Sequence, residues 1–561
     1  MAEGSEPTAT AATPEREPAE TGAAWPPWGS LALYASFAAL ATAVYHGALY
    51  GPALFDVVIY LVSNPYTESL DGESILAILD PFGPSKFFTA NYAPVHLLAT
   101  ALERHIFADQ ALGYHLVNVF VHALNGVLLV AWLRSADVDD RVAVAAGLFF
   151  LLHPANVEAV AWMSQLKTSG ALAFALGALL LLRRAPLAAV VLFALSLLTK
   201  ASGMFALPTA AAVLWSDRTA GRREWAWMGA WAAVAALYAI PQFDAFAHLG
   251  EVEVAAFEDP FVQLRTIAAV GARYVVMAPF AVGVSAWQEP PPATSWLDPW
   301  WLLALPLGAL LLWRLVASLR ARSLEGAFWL SAAASFGPVS QLFPFATPVA
   351  NRYLYFILPG LLGGAILAAR GPLRGAFAKP APRYAAWAVL AVWLGLFGWQ
   401  SAQRADLWQM ETRLMLDAAA HYPDGATAHV LRARTAAQAG DVDGAVALLE
   451  VAVDRGIDHF SSLERDPGLQ PLVGTPQFEK LIRRMAGDWI ALAERRGYST
   501  QPELRFLAIA HARRGEHAAS VEALEAALAA GGPLDDTIRE ELARAREAAA
   551  AQRKQGVGPR R

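Results

Sequence analysis

Cysteine is absent from the 561-residue chain, and charged residues make up only 16% of it. The absence of cysteine excludes disulfide bonds, thiolate metal ligands and a cysteine nucleophile. Soluble proteins carry roughly 25% charged residues, so a chain that is 56% hydrophobic is not expected to be wholly soluble. The net charge of −6 gives no indication of nucleic-acid binding.

The few charges are unevenly placed, because 44 of the 92 charged residues lie from Ser401 onward. This contrast predicts a charge-poor membrane domain over residues 27–402 and a soluble helical domain over residues 403–550. Residues 1–26, which are rich in Ala, Thr, Pro and Glu, are expected to be a disordered cytoplasmic tail. Residues 551–561 are expected to be a basic disordered tail.

Long apolar runs organise the membrane domain. The first, Trp28–Tyr50, has the length of about 20 residues that a membrane-spanning helix needs. The mixed polar stretch that follows, residues 51–110, is too long for a turn, and loops of this length are usually functional. Further apolar runs continue to Trp399. They predict an all-α, polytopic membrane protein with about eleven crossings.

Basic residues orient these predicted helices. They recur in alternate loops, at Arg134, Arg141, Arg183, Arg184, Arg218, Arg222, Arg223, Arg320, Arg322, Arg370, Arg374, Lys379 and Arg383. By the positive-inside rule these loops are cytoplasmic. Strict alternation fails at Gln263–Val282, which we therefore interpret as re-entrant or interfacial. The N-terminus is then cytoplasmic, and the 51–110 loop and the C-terminal domain lie on the outer side, periplasmic or extracellular.

The C-terminal domain contains two segments with the same spacing of small and apolar residues. Val430–Gly456 has Gly440, and Leu507–Gly531 has Gly515 at the matching position. Small residues at these offsets let two antiparallel helices pack closely, as in tetratricopeptide repeats. The pattern favours a tetratricopeptide-like domain that binds a peptide or a partner protein, although another short helical solenoid fits it as well.

Polar and ionisable residues gather near the predicted outer ends of the helices, at Asp56, His115, Asn118, His122, His153, Glu158, Lys167, Lys200 and Arg352. Ionisable groups at membrane depth are costly and usually functional. Basic side chains at such a place can hold the phosphate of a lipid-linked donor. A carboxylate can act as general base on an acceptor hydroxyl.

Each of these residues also has a simpler interpretation. Asp56 fits a solvated loop, and Lys167 and Lys200 fit helix ends from which lysine reaches the interface. His115 and His122 lie seven positions apart on one helix face and fit inter-helix hydrogen bonding better than zinc binding, so no metal site is predicted. Arg352 begins a helix, where the dipole favours anions, so we expect it to have an anionic partner or ligand.

Four segments in this order resemble one family: "NYAPVHLLATALERHIFADQALGYHLVNVFVHALNGVLLV", "LFFLLHPANVEAVAWMSQLKTSGALAF", "LSLLTKASGMFALP" and "FPFATPVANRYLYFILPG". They resemble the transmembrane and tetratricopeptide-repeat-containing O-mannosyltransferase-like family, which has the GT-C glycosyltransferase fold. The resemblance implies an enzyme that takes a sugar, with mannose as one candidate, from a polyprenyl-phosphate donor and transfers it to a protein or peptide on the outer side.

The resemblance also implies roles for single residues. The spacing to Asn64-Pro65 places Asp56 on the family's first catalytic acid. The Arg-Tyr-Leu-Tyr match makes Arg352 the candidate ligand of the donor phosphate, assisted by Lys200 and Lys167. The remaining matches are expected to line the site, namely Tyr92, His115, Asn118, His153, Glu158 and Tyr353.

Four positions that carry charge in the family are neutral here, at Val57, Ala93, Thr168 and Ala201. They motivate an alternative hypothesis, a weakly active or inactive membrane anchor that presents the repeat domain to partner proteins. Membrane lipids are expected partners under both hypotheses, and nucleic acid under neither.

Overall fold

The computed structural model describes residues 27–89, 91–247, 257, 259–342, 347–376 and 380–554. Most of these residues are helical, and they contain no β-strand. The predicted all-α class is thereby confirmed. The predicted N-terminal tail lies outside the described residues, whereas residues 551–554 of the predicted basic tail continue the last helix.

Sixteen α-helices build the described part of the chain as far as Leu407. They are α1 (Pro27–Val44), α2 (Gly72–Leu79), α3 (Ser85–Thr89), α4 (Pro94–Phe107), α5 (Ala111–Ser135), α6 (Asp140–Leu151), α7 (Val157–Ala161), α8 (Leu166–Leu181), α9 (Pro186–Thr199), α10 (Ala206–Ser216), α11 (Arg222–Ala247), α12 (Pro260–Phe280), α13 (Pro299–Arg320), α14 (Leu324–Phe336), α15 (Asn351–Ala376) and α16 (Pro380–Leu407). The predicted domain boundary at residue 402 falls inside α16.

Among the described residues, six helices are long and apolar enough to cross a membrane. They are Ala111–Ser135, Met163–Leu181, Pro260–Phe280, Pro299–Arg320, Asn351–Gly371 and Pro380–Leu407. A bent pair, Asp140–Leu151 and Pro154–Ala161, would add a seventh. Three shorter apolar helices accompany them, at Trp28–Val44, Pro186–Thr199 and Ala201–Ser216. These helices indicate a membrane-associated protein, and the expected total of about eleven crossings stays a prediction.

Side-chain contacts define two ends of this bundle. At one, the Arg183 end, Arg183 pairs with Asp217, and the guanidinium of Arg322 lies 4.2 Å from the ring centroid of Trp215. At the other, the Asp56 end, Asp56 faces Lys167 across the chain. The loops that carry Arg183, Arg218 and Arg322, three of those that the sequence groups together, therefore lie at the end opposite to Asp56.

The two helices that flank α12 in the chain, α11 and α13, meet it at the Asp56 end: α11 ends there and α13 begins there. Helix α11 ends there, because Lys86 of the 51–110 loop pairs with Asp244. After Phe280 the chain turns back, and the Ala293 amide donates to the Thr266 hydroxyl near the start of α12, at 3.0 Å. Helix α13 then runs towards the Arg183 end, where the Leu319 carbonyl accepts from Trp215, 2.9 Å away. By length and composition α12 could also span a membrane, so its re-entrant or interfacial placement stays a prediction.

The 51–110 loop is itself folded. Helices α2, α3 and α4 lie within it, and the side chains of Tyr60, Tyr66, Ile78 and Leu97 form a small core between them. The sequence predicts a long functional loop here but not these helices. The loop thereby gains a fixed shape next to Asp56.

Close helix packing in the bundle depends on glycine where α15 meets α14. A Cβ atom at Gly360 would lie 2.5 Å from the Ala332 amide nitrogen and 2.7 Å from the Phe328 carbonyl oxygen. A side chain there would push the two backbones apart. This contact fixes the helix that carries Arg352 at its start.

The C-terminal residues form eight further α-helices in the described part of the chain. They are α17 (Glu411–His421), α18 (Ala426–Gln438), α19 (Val442–Asp454), α20 (Phe460–Arg465), α21 (Pro476–Arg496), α22 (Gln501–Arg514), α23 (His517–Ala530) and α24 (Asp535–Lys554). Gly440 and Gly515, at the matching positions of the two segments, have φ angles of 81° and 79° and join α18 to α19 and α22 to α23. Glycine adopts such angles without strain.

The first C-terminal helices contact the chain that returns from α12. The Ala286 amide donates to the carboxylate of Asp417 at 2.7 Å. The Thr427 hydroxyl donates to Glu289 at 2.6 Å. Between these two contacts, the ring of Trp287 lies 5.8 Å from the ring of Phe55, which directly precedes Asp56. The C-terminal helices therefore begin beside the Asp56 end.

Candidate functional site

Asp56 stands on a constrained stretch of the 51–110 loop. The residue before it, Phe55, has a φ angle of 53°, which is uncommon for a residue other than glycine. The indole of Trp162 donates to the Leu54 carbonyl at 3.1 Å, and a ring nitrogen of His115 lies 3.3 Å from the Gly51 carbonyl. These contacts hold the backbone that presents Asp56, whose side chain is 43% exposed.

Lys167 is the immediate neighbour of Asp56. Its ammonium lies 3.5 Å from a carboxylate oxygen of Asp56 and 4.0 Å from the ring centroid of Tyr60. Both contacts favour the charged amine. Lys167 is thus tied to the acid and to the loop, and its side chain is mostly buried.

Arg352 is paired with a carboxylate of its own chain. Its guanidinium forms a salt bridge with Glu158, and its backbone amide donates to the same carboxylate at 3.2 Å. The indole ring of Trp162 lies 5.4 Å from the guanidinium carbon. The sequence predicts an anionic partner or ligand for Arg352, and Glu158 is that partner.

Lys200 differs from the other two cations. Its ammonium donates to the Thr168 hydroxyl at 2.7 Å, and within the described residues no ion pair joins it to a carboxylate. It is partly exposed and lies within electrostatic range of both acids and both other bases. We refer to Asp56, Glu158, Lys167, Lys200 and Arg352 as the charged cluster. The cluster therefore contains three basic side chains and two acidic ones, so one base is left over when the others are paired.

The residues predicted to line the site mostly hold its backbone. The Asn118 amide lies 3.1 to 3.2 Å from the carbonyls of Val160, Trp162 and Met163, which lie between Glu158 and Lys167 in the chain. A ring nitrogen of His153 lies 2.9 Å from the Ala278 carbonyl.

Two predicted tyrosines differ in their distance from the cluster. The Tyr353 hydroxyl lies 3.4 Å from the Arg352 guanidinium. The Tyr92 hydroxyl instead donates to the Leu79 carbonyl at 2.9 Å. On α5, a ring nitrogen of His122 lies 2.8 Å from the Tyr355 hydroxyl, which is the inter-helix role that the sequence favours for this histidine.

Sequence reasoning missed two residues beside the cluster, Tyr60 and His96. His96 lies in the first turn of α4, and its ring is 5.0 Å from that of Tyr60. A histidine two positions after Tyr92-Ala93-Pro94 was the available signal. Its surroundings follow only from the fold of the loop.

Within the described residues, no group of three or more His, Asp or Glu side chains is placed to hold a metal ion. No family model, curated protein or solved structure matches the chain. What the protein does must therefore be inferred from the charged cluster and its surroundings.

One further acid of the 51–110 loop gives a test of the fold. Glu103 is buried, and one carboxylate oxygen has no hydrogen-bond partner. Burial raises its pKa to about 8, whereas an unfolded chain releases this proton near the ordinary value, about 4.3. The folded state therefore binds more protons across this window, and its stability falls as the pH rises from about 4.3 to about 8.

Glu103→Gln is expected to raise the melting temperature at pH 8 and to change it little at pH 5. The amide cannot ionise, so the variant avoids a cost of about 2–4 kcal/mol at the higher pH. Thermal unfolding of the detergent-solubilised protein, followed by tryptophan fluorescence, measures this. Exposed Glu450→Gln is the control. An equal shift at both pH values would contradict the burial argument.

Proposed function

We propose that the chain is an integral-membrane glycosyltransferase of the GT-C type. It moves a sugar from a polyprenyl-phosphate donor to a hydroxyl of a protein acceptor. The observation that carries the proposal is the charged cluster, which contains a partly exposed carboxylate, Asp56, and a base, Lys200, that has no carboxylate partner among the described residues. The resemblance to the O-mannosyltransferase-like family supports the same reaction.

The two groups suit the two halves of such a transfer. Asp56 takes the proton of the acceptor hydroxyl, whose oxygen forms a bond to the anomeric carbon of the sugar. The bond from that carbon to the phosphate oxygen breaks, and the electron pair stays on the phosphate. The leaving polyprenyl phosphate therefore gains negative charge, which a positioned ammonium stabilises.

We propose that Lys200 is the main side chain that stabilises the negative charge on the leaving phosphate. The resemblance instead implies Arg352 as the main phosphate ligand, assisted by Lys200 and Lys167. Arg352 already donates to Glu158, and Lys167 faces Asp56. Lys200 donates only to the neutral Thr168 hydroxyl. Where the family has an acid, this chain has Thr168, so Lys200 has no carboxylate partner among the described residues. This departure leaves Lys200 available to an anionic ligand.

The C-terminal helices are proposed to be a tetratricopeptide-like domain that holds the acceptor. The glycine turns at Gly440 and Gly515 and the buried Ala445, Leu449, Ser520 and Leu524 support this. The first of these helices contact the segment that carries Trp287, beside Phe55. An acceptor bound to the domain would start close to Asp56.

A second candidate is the inactive membrane anchor. Val57 and Ala93 stand where the family has charged residues, and both are buried apolar side chains. They supply no group to the charged cluster, which favours this candidate. A wild-type chain without transferase activity towards any polyprenyl-phosphate sugar would support the anchor and exclude the enzyme.

Lys200→Met is expected to lower sugar transfer by about 10–100-fold, since a hydrogen bond to a charged group contributes about 1.5–3 kcal/mol. The assay uses the full chain in nanodiscs, radiolabelled polyprenyl-phosphate mannose and other sugars, and protein acceptors. Lys480→Met, on an exposed position of α21, is the matched control. Unchanged transfer by Lys200→Met would remove Lys200 from the site.

A further inference from the structure

His96 is a buried histidine whose two ring nitrogens both lack a partner. Its side chain is 2% exposed, and neither Nδ1 nor Nε2 has a hydrogen-bond partner in the described structure. Buried polar groups are almost always hydrogen-bonded, and each exception calls for an explanation. His115, His122 and His153 each have at least one such partner. His96 is therefore unlike the other buried histidines of the bundle.

The groups placed near His96 are a ring and two bases. The Tyr60 ring lies 5.0 Å away, and the Lys167 ammonium lies over that same ring at 4.0 Å. Lys167 and Lys200 both lie within electrostatic range of the imidazole. An imidazole N–H near basic side chains favours an oxyanion, such as a phosphate, as its hydrogen-bond acceptor.

The start of α4 adds to this preference. The helix begins after Ala93, whose side chain makes no cap hydrogen bond, and Pro94 follows as the first residue. The first turn of a helix carries unsatisfied N–H groups and a partial positive charge, which suit a phosphate. His96 lies in that turn. The helix terminus alone would not define a site, but the unpartnered imidazole is a second and independent sign.

We propose that His96, together with Lys200 and Lys167 at the N-terminal end of α4, binds the phosphate group of the lipid-linked substrate. The inference rests on the proposed function, which supplies such a substrate, and it adds a ligand that the sequence did not indicate. The ligand chemistry is a phosphate oxyanion, from the lipid or from free phosphate.

Binding by the full chain in nanodiscs tests the inference without requiring catalysis. The probes are polyprenyl phosphate, the corresponding polyprenol without phosphate, and inorganic phosphate. Wild-type protein is expected to bind polyprenyl phosphate and not polyprenol. Competition by inorganic phosphate at similar concentration would assign the site to free phosphate, and its absence would assign it to the lipid.

The variant His96→Phe keeps the ring and removes both nitrogens. It is expected to weaken phosphate binding at least about tenfold, and His96→Gln, which retains a donor, to weaken it less. His105→Phe is the matched control, because His105 is exposed on the same helix. The melting temperature without ligand should not fall in His96→Phe, since two unpartnered buried nitrogens are removed. A histidine that only fills space would leave the affinity unchanged.

The outcomes separate this inference from the proposed function. Equal phosphate affinity in wild type, His96→Phe and His96→Gln would overturn the inference, while sugar transfer by the wild type would leave the function standing. His96-dependent phosphate binding without sugar transfer would keep the phosphate site and overturn the enzyme. Wild-type protein that binds neither phosphate would overturn both.

Discussion

Asp56→Asn is expected to lower sugar transfer by about 10²–10⁴-fold, the usual contribution of a general base. The amide keeps the size of the side chain but cannot accept the acceptor's proton. Asp56 is suited to this role because it is partly exposed and because the loop before it is held by Trp162 and His115. Initial rates with a saturating lipid-linked donor measure the effect, and donor affinity should change much less.

The matched control for Asp56→Asn is Asp109→Asn. Asp109 is exposed in the same loop and belongs to no part of the charged cluster, so its rate should equal that of the wild type. Asp56→Asn also removes the acidic partner of Lys167, so donor binding must be measured beside the rate. Full transfer by Asp56→Asn would exclude Asp56 as the base.

Glu158→Gln is expected to destabilise the protein by about 3–5 kcal/mol, because it leaves the mostly buried guanidinium of Arg352 without its carboxylate. The side chains are only 5% and 14% exposed, so water cannot replace the lost partner. The variant should unfold at a clearly lower temperature in detergent, and it should yield less folded protein.

Two further variants make this result specific. Removing both charges, in Glu158→Gln with Arg352→Met, should restore much of the lost stability, since no unpaired charge then stays buried. Asp536→Asn breaks an exposed pair with Arg539 and should change stability by less than about 1 kcal/mol. A double variant as unstable as Glu158→Gln would mean that the pair contributes through something other than its charges.

The sequence predicted the members of the charged cluster better than their pairing. Asp56, Lys167, Lys200 and Arg352 were singled out because ionisable residues near membrane helices are costly. That Arg352 binds Glu158, 194 positions earlier, depends on how α7 and α15 pack, and no local pattern encodes this. Therefore only the structure shows which base of the cluster lacks a carboxylate partner.

Other features also divide into those that the sequence predicted and those that only the structure showed. The matching helical segments around Gly440 and Gly515 were predicted from their spacing, whereas the position of both glycines in turns with positive φ came from the structure. The folded 51–110 loop was not predicted, because its core joins residues with no regular period. His96 was missed because what distinguishes it is the absence of partners, which a sequence cannot display. The glycosyltransferase family itself stays a prediction.

The returning path of α12 has a consequence for the orientation of everything after it. Since α11 ends and α13 begins at the Asp56 end, we expect the segment between them to add no net crossing of the membrane. A shorter or longer α12 is then expected to keep the direction of α13, provided that the contacts of Ala286 and Glu289 with the C-terminal helices remain. Loss of one complete crossing would instead be expected to send those helices to the other side of the membrane.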